Sequence, residues 1–469
     1  MLGGMCFRAW FGFLLAAFVV VAEAAPNIVL ILADDLGYGE LGCYGQDRIA
    51  TPHLDRMAAE GLKFERFYAG APVCAPSRSV LMTGRHTGHT RVRGNAPRDR
   101  REIQALRQGD VTVAELLQKA GYETALIGKW GLGHEGSEGG PERQGFGHFF
   151  GYLDQHHAHN PYPPFLIRNG ERIVLRNGHV AGTGKGGAGI AATPVDFAPD
   201  LMANEVFEWI GAREEKPFFL FWSLITPHAN NEGARHGRGQ EVPDLGAYAN
   251  KPWPLADRAH AATIARMDAD VGRLFALLKE RGLDERTLVF FTSDNGAHRE
   301  GGNAPEFFAA SGPLRGIKRD LHEGGIRVPG IVRWPGSTPA GAKSASVLGF
   351  ADLLPTFAAV AGTGERVPKG LDGIDFSPLL HGRTYEPPAG RVMYWEFHEA
   401  GFSQAVLMDS RWKAIRSKSL DAPVMIYDLE GDAGEEIDLA ASREDLVTRA
   451  RDLFQSERSE SADWPVRGE

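Results

Sequence analysis

The chain has little cysteine: three residues in 469, at positions 6, 43 and 74. That excludes a scaffold held by disulfides, and a chain this long buries a core without them. It lacks a basic excess as well. Lys and Arg number 51 against 60 Asp and Glu, a net charge of −9. Nothing global draws such a chain to nucleic acid or an anionic membrane, so an anionic ligand must be captured by a local site. The 58 glycines and 28 prolines make it loop-rich, yet short of the roughly 25–30% that marks low complexity. No internal repeat is present. Residues 178–190 are glycine-rich and read as a loop. Gly184-Lys185 is followed by Gly186 where a phosphate loop needs Ser or Thr, so a nucleotide site is not expected there.

What is present begins with an address. Arg8 precedes an apolar run over residues 9–21, and Ala22-Glu23-Ala24 follows. A basic start, a dozen apolar residues and an Ala-x-Ala ending make a secretory signal peptide over 1–24. The run is shorter than the roughly 20 residues of a spanning helix. The expected location is secreted or periplasmic, with no stable membrane span after cleavage. Cys6 leaves with the signal peptide. The competing reading is an N-terminal anchor helix.

Beyond it, apolar runs alternate with helical patterns. Residues 27–33 form a nearly continuous apolar run that ends in Asp34-Asp35, as do 218–225 before Thr226-Pro227-His228 and 287–292 before Ser293-Asp294-Asn295-Gly296. Such runs read as strands buried on both faces. Residues 124–128 form a further strand. Helices are expected from Thr51-Pro52, over 113–120 and over 259–281. Strands alternating with helices imply a layered α/β domain. In such sheets ligands bind beyond the carboxyl ends of the strands, where these polar clusters lie. After about residue 385 the pattern changes to four short strand-like pieces and a final helix over 444–454.

Cys74-Ala75-Pro76-Ser77-Arg78 carries the sharpest chemistry. Pro76 suits a first helical turn, which would set Cys74 at a helix N-terminus with Arg78 one turn on. That environment favours a thiolate and an anionic ligand. A Cys43–Cys74 disulfide and a buried free thiol are the plainer readings.

The pentapeptide resembles the signature of formylglycine-dependent (type I) sulfatases, arylsulfatase-like members of the alkaline phosphatase superfamily. The resemblance extends over the whole mature chain. Asn27-Ile28-Val29 with Asp34-Asp35-Leu36-Gly37, Thr83-Gly84-Arg85, Gly128-Lys129-Trp130, Ser293-Asp294-Asn295-Gly296, Leu314-Arg315-Gly316-Ile317-Lys318 and Tyr427-Asp428-Leu429 follow the family order. The fold it implies is α/β: a large mixed sheet sandwiched by helices, alkaline-phosphatase-like. A catalytic domain over 25–385 would precede a smaller α+β domain over 386–469 with a short antiparallel sheet.

The resemblance implies that a formylglycine-generating maturation enzyme oxidises Cys74. It also implies Asp34, Asp35, Asp294 and Asn295, with residue 74, as metal ligands. Hard oxygen donors suit Ca²⁺, or Mg²⁺, over zinc. Arg78 and Lys129 are assigned to the nucleophile and sulfate oxygens, His228 and Lys318 to the sulfate and leaving oxygen. The expected substrate is a sulfated carbohydrate or an aryl sulfate ester. The alternatives are a phosphonate monoester or phosphodiester hydrolase of the same superfamily, and a catalytically impaired glycan-binding protein. One departure stands out. The family pattern is Lys-Trp-His-Leu-Gly, with a His that deprotonates the nucleophile, whereas Gly131 stands here. His134, His156, His157 and His159 are candidates to replace it or to line the substrate cleft.

Overall fold

The computed structural model describes residues 25–466, so the signal-peptide reading of 1–24 lies outside the described residues. In chain order the strands of the large sheet are β1 (Asn27–Asp34), β2 (Leu62–Tyr68), β3 (Glu123–Lys129), β4 (His148–Tyr152), β5 (Phe165–Arg168), β6 (Glu171–Val174), β7 (Phe218–Pro227), β8 (Thr287–Ser293), β9 (Arg327–Arg333), β10 (Ala342–Ser344) and β11 (Leu348–Gly349). Their order is β10-β2-β9-β8-β1-β7-β3-β4-β5-β6, with β11 also on β2. The centre, β8-β1-β7-β3-β4, is parallel. Antiparallel pairing begins on either side at β9 and β5. The sheet is therefore mixed.

β1 explains why its sequence reads as an unbroken apolar run. Ile28, Leu30 and Leu32 point into one core, and Val29, Ile31 and Ala33 into the other. A strand covered by helices on both faces needs apolar residues at both parities. The helices Pro52–Glu60, Val113–Lys119 and Leu255–Glu280 form where periodicity predicts them. Thr112 and Glu115 close a capping box on the second, satisfying backbone donors that the first turn leaves free.

The C-terminal strands β12 (Val392–Phe397), β13 (Ser403–Met408), β14 (Trp412–Arg416) and β15 (Met425–Asp428) form an antiparallel meander. The helix Glu444–Ser456 packs on one face. The other face packs on Tyr68, Val73, Leu321 and Ile326 of the larger unit. A buried ion cluster joins the two. Lys413 Nζ lies 2.9 Å from Glu323 Oε1 and 3.0 Å from Glu435 Oε1, and the Tyr68 hydroxyl donates to Glu323 Oε2 at 2.8 Å. No helix among the described residues is long and apolar enough to cross a membrane.

Candidate active site

Four neighbouring parallel strands deliver their carboxyl ends to one place: Asp34 from β1, Lys129 from β3, His228 just past β7, and Asp294-Asn295 just past β8. In an extended strand, successive side chains face opposite ways. Asp35 escapes that rule because its φ is +67°. The left-handed turn brings both carboxylates to one side, and Asp and Asn are among the few non-glycine residues that adopt it readily. Its backbone N–H donates to Asp294 Oδ1 at 3.1 Å, which fastens β1 to β8 at this point.

Cys74 opens the fully buried helix Cys74–Thr83. Its Sγ lies 3.4 Å from Asp34 Oδ1 and 4.0 Å from Asp35 Oδ1. Of the plainer readings the buried free thiol holds and the disulfide does not, and the thiolate expectation is corrected. Cys43 and Cys74 are both free, so no disulfide joins them. Nor does the helix start favour a thiolate. Burial, then the charge of Asp34, pushes the Cys74 thiol well above its usual range. Arg78 does not offset this, because its guanidinium is spent elsewhere. Nη2 and Nε lie 2.8 and 3.1 Å from Asp294 Oδ2, and Nη1 donates to the Lys129 carbonyl and the Ser223 hydroxyl.

Lys129 Nζ donates to Asp34 Oδ2 at 2.6 Å. Lys318 Nζ donates to Asp35 Oδ2 at 2.7 Å, and lies 3.1 Å from Glu300 Oε2 and 3.2 Å from His228 Nε2. Lys129 and Lys318 are buried, and the His228 side chain is nearly so. Burial opposes the charge of both lysines, but Asp34 holds Lys129 above its ordinary value and Asp35 does the same for Lys318. Burial likewise works against an ionised Asp35, yet Lys318 keeps it well below the carboxylate range. Burial, then Lys318, pushes His228 well below the usual imidazole range, so its ring is neutral. His228 Nδ1 lies 2.6 Å from the Ala229 carbonyl. A carbonyl only accepts, so the proton sits on Nδ1, and Nε2 accepts from Lys318.

The donor set fits a hard divalent cation. Asp34, Asp35 and residue 74 bring ligand atoms within 4.8 Å of one another, with His228 beside them. Burial and the adjacent Asp34 push Asp294 up to about 7, the response of a carboxylate packed against another without enough positive charge. Asn295 Oδ1 is buried with no hydrogen-bond partner, an acceptor oriented for an ion.

Sequence reasoning missed Ser223, Glu300 and His298. Ser223 Oγ donates to the Lys129 carbonyl at 2.5 Å. Glu300 ties Lys318 to Arg319, and burial loses to Lys318 in holding its carboxyl far below the usual range. His298 Nε2 lies 3.3 Å from the Pro227 carbonyl. Glu300 and His298 follow Asn295 closely in sequence, but on a loop, where no periodicity marks them.

The four candidate histidines separate. His159 stacks on His228, with centroids 4.8 Å apart and planes 12° apart, and its Nδ1 lies 3.0 Å from Glu232 Oε2. His156 lies against His159 at 5.5 Å. His157 is wedged between Tyr152 and Phe165, and burial pushes it down to about 4. His134 is half-buried on the wall of a neighbouring cavity, with Nδ1 3.2 Å from the Glu135 carbonyl.

The comparisons with known proteins agree with this geometry. The Sulfatase family model matches residues 26–363, and the model for the N-sulphoglucosamine sulphohydrolase C-terminal region matches 317–453. The chain is 34% identical to human arylsulfatase A over 479 residues, covering 91% of this chain and 85% of that protein. It is 34% identical to the N-acetylgalactosamine-6-sulfatase of Sus scrofa over 381 residues, covering 79% and 69%. Its fold matches the crystal structure of Ps i-CgsB in complex with k-i-k-neocarrahexaose, with a TM-score of 0.77, 26% identity and coverage of 94% and 95%. With two buried lysines and a buried arginine ringed around Asp34, Asp35 and Asp294, and family similarity along nearly its full length, the chain belongs to the sulfatase family.

Proposed function

We propose that this chain is a formylglycine-dependent sulfatase that hydrolyses sulfate esters of carbohydrates, with aryl sulfates as artificial substrates. The observation that carries the reading is the position of Cys74: buried at the start of a helix, against Asp34 and Asp35, and unsuited to act as a thiolate. A maturation enzyme would convert it to formylglycine, whose hydrated form supplies the attacking hydroxyl. Asp34, Asp35, Asp294 and Asn295 would hold the cation, Ca²⁺ or Mg²⁺, which neutralises developing charge when bound.

The residues then divide the work. Arg78 pairs with Asp294 and ties the ends of β3 and β7 together through the Lys129 carbonyl and Ser223. Lys129 presents its ammonium to the sulfate oxygens. Lys318 is the proton donor to the leaving oxygen, because His228 holds its own proton on the far nitrogen and accepts from Lys318. Glu300 positions Lys318. The carbohydrate reading draws on relatives named for sulfated sugars and on the histidine and aromatic segment over 152–165. Export through a signal peptide over 1–24 and a division near residue 385 complete the proposal.

Mass spectrometry of the tryptic peptide bearing residue 74, from protein made in its native host, tests it: formylglycine is expected, and wholly unmodified cysteine overturns the mechanism. Comparing aryl sulfate with aryl phosphodiester turnover in one preparation separates a sulfatase from a phosphodiester hydrolase. Sulfate release that disappears in Cys74→Ala rules out an inactive binding protein.

A further inference from the structure

Gly131 lies two residues past Lys129, with φ +79°. A β-carbon added there would lie 2.1 Å from Gln155 Nε2. The Gln155 carboxamide thus occupies the space that a side chain at 131 would take. Gln155 is 7% exposed, and its Nε2 has no hydrogen-bond partner. A buried N–H₂ without an acceptor is a donor awaiting a ligand.

Gln155 lines a small cavity of about 20 Å³ together with Ala96, Gln104 and His156. The cavity begins close to the nucleophile: Asn95, next to Ala96, accepts from the backbone N–H of Ala75. Its other side shares Arg101, His134, Leu153 and Asp154 with a larger cavity of about 460 Å³. Phe165 and Arg172 form the wall of the larger one, with the guanidinium 4.6 Å above the ring. A volume of this size is in the range of ligand sites.

The charges of that cavity are nearly cancelled. Arg172 pairs with Glu135 at 2.9 and 3.0 Å, and Arg101 lies 3.4 Å from Asp154. Glu102 adds a further carboxylate, and the buried His157 ring is neutral. Among the described side chains that line it, neither arginine is left unpaired for a second anion. With the Arg172 guanidinium and the His157 ring both against Phe165, what the cavity offers is its ion-paired edges, which suit the hydroxyl groups of a sugar.

We propose that the two cavities form a subsite for an uncharged sugar unit joined to the sulfated one, with the Gln155 amide as hydrogen-bond donor at its neck. A uronate or a second sulfate at that position is disfavoured. The inference rests on the carbohydrate reading above.

The test uses mature enzyme carrying formylglycine. A panel of sulfated hexoses and N-acetylhexosamines identifies the monosaccharide substrate. That sugar is then compared with disaccharides that extend it by an N-acetylhexosamine or by a uronic acid, with 4-nitrocatechol sulfate as reference. The expected kcat/KM is about tenfold higher with the neutral neighbour than for the monosaccharide, and about tenfold lower with the uronate than with the neutral one. Phe165→Ala and Gln155→Ala should each remove most of the gain while aryl sulfate turnover changes by less than about twofold. Glu135→Gln should partly restore the uronate substrate. If Phe165→Ala loses aryl sulfate turnover too, it has failed to fold, and Arg172→Ala carries the measurement instead. Equal kcat/KM for monosaccharide and both disaccharides overturns the subsite and leaves the sulfatase reading standing. Aryl sulfate turnover with no hydrolysed sugar overturns the carbohydrate reading and the subsite together.

Discussion

Two buried charge clusters in this molecule are built for different ends. The one joining the C-terminal sheet is closed by its own cation: Lys413 sits between Glu323 and Glu435, and Tyr68 and Arg327 occupy the second oxygen of Glu323, while Glu435 Oε1 faces the lysine without a hydrogen bond and burial raises its carboxyl. Lys413 leads the groups that keep Glu323 ionised against burial. The one at the strand ends is left open. Asn295 Oδ1 has no partner, and Asp294 is pushed up to about 7. A closed cluster locks two units together, whereas an open one keeps binding capacity for an ion and a substrate. Burying charge is costly in both, so the open cluster depends on what it binds.

The comparison is most sharply tested by paired substitutions. Cys74→Ala should lower sulfate release by at least about a thousandfold, because no other group supplies the nucleophile, while the urea unfolding midpoint stays unchanged. Lys413→Ala should do the reverse in kind. Leaving two buried carboxylates without their cation costs roughly 3–5 kcal/mol, read as an earlier unfolding transition. A Lys413→Ala protein as stable as the parent would break the comparison.

The cavity wall supplies a neutral counterpart. His157 titrates at about 4 in the folded protein, against about 6.5 when unfolded. Between these values the unfolded chain binds more protons. The stability from this residue is therefore complete above about pH 6.5 and falls as the pH drops toward 4, by about 3 kcal/mol in all. His157→Phe should flatten that part of the curve, as measured by urea unfolding across this pH range. The smallest effect on stability is that of the ion itself. Chelation should remove activity and lower stability by about 2–3 kcal/mol for a site filled at 100-fold over its Kd, with Ca²⁺ restoring both. Calorimetry with and without chelator reads this, and Lys413→Ala should respond to chelator as the parent does.

Much of this was legible in the chain. β1, β3, β7 and β8 are apolar at both parities because helices cover both faces, so the strands and the polar clusters ending them could be found directly. The sulfatase motifs added a candidate ligand set. The thiolate expectation failed because helix geometry is local, whereas the proximity of Asp34 and the diversion of Arg78 to Asp294 are not. Glu300, His298 and Gln155 were invisible because they lie on loops, where no periodicity constrains the residue type.

The sequence by itself determined the central strands β1, β3, β7 and β8 and the polar residues that end them, since burial pattern and side-chain type are written in one dimension. Only the tertiary structure decided which histidine faces Lys318, which nitrogen of His228 carries the proton, and what occupies the space at Gly131. Those depend on contacts between segments tens to hundreds of residues apart. Such contacts form when the sheet packs, and no local preference encodes them.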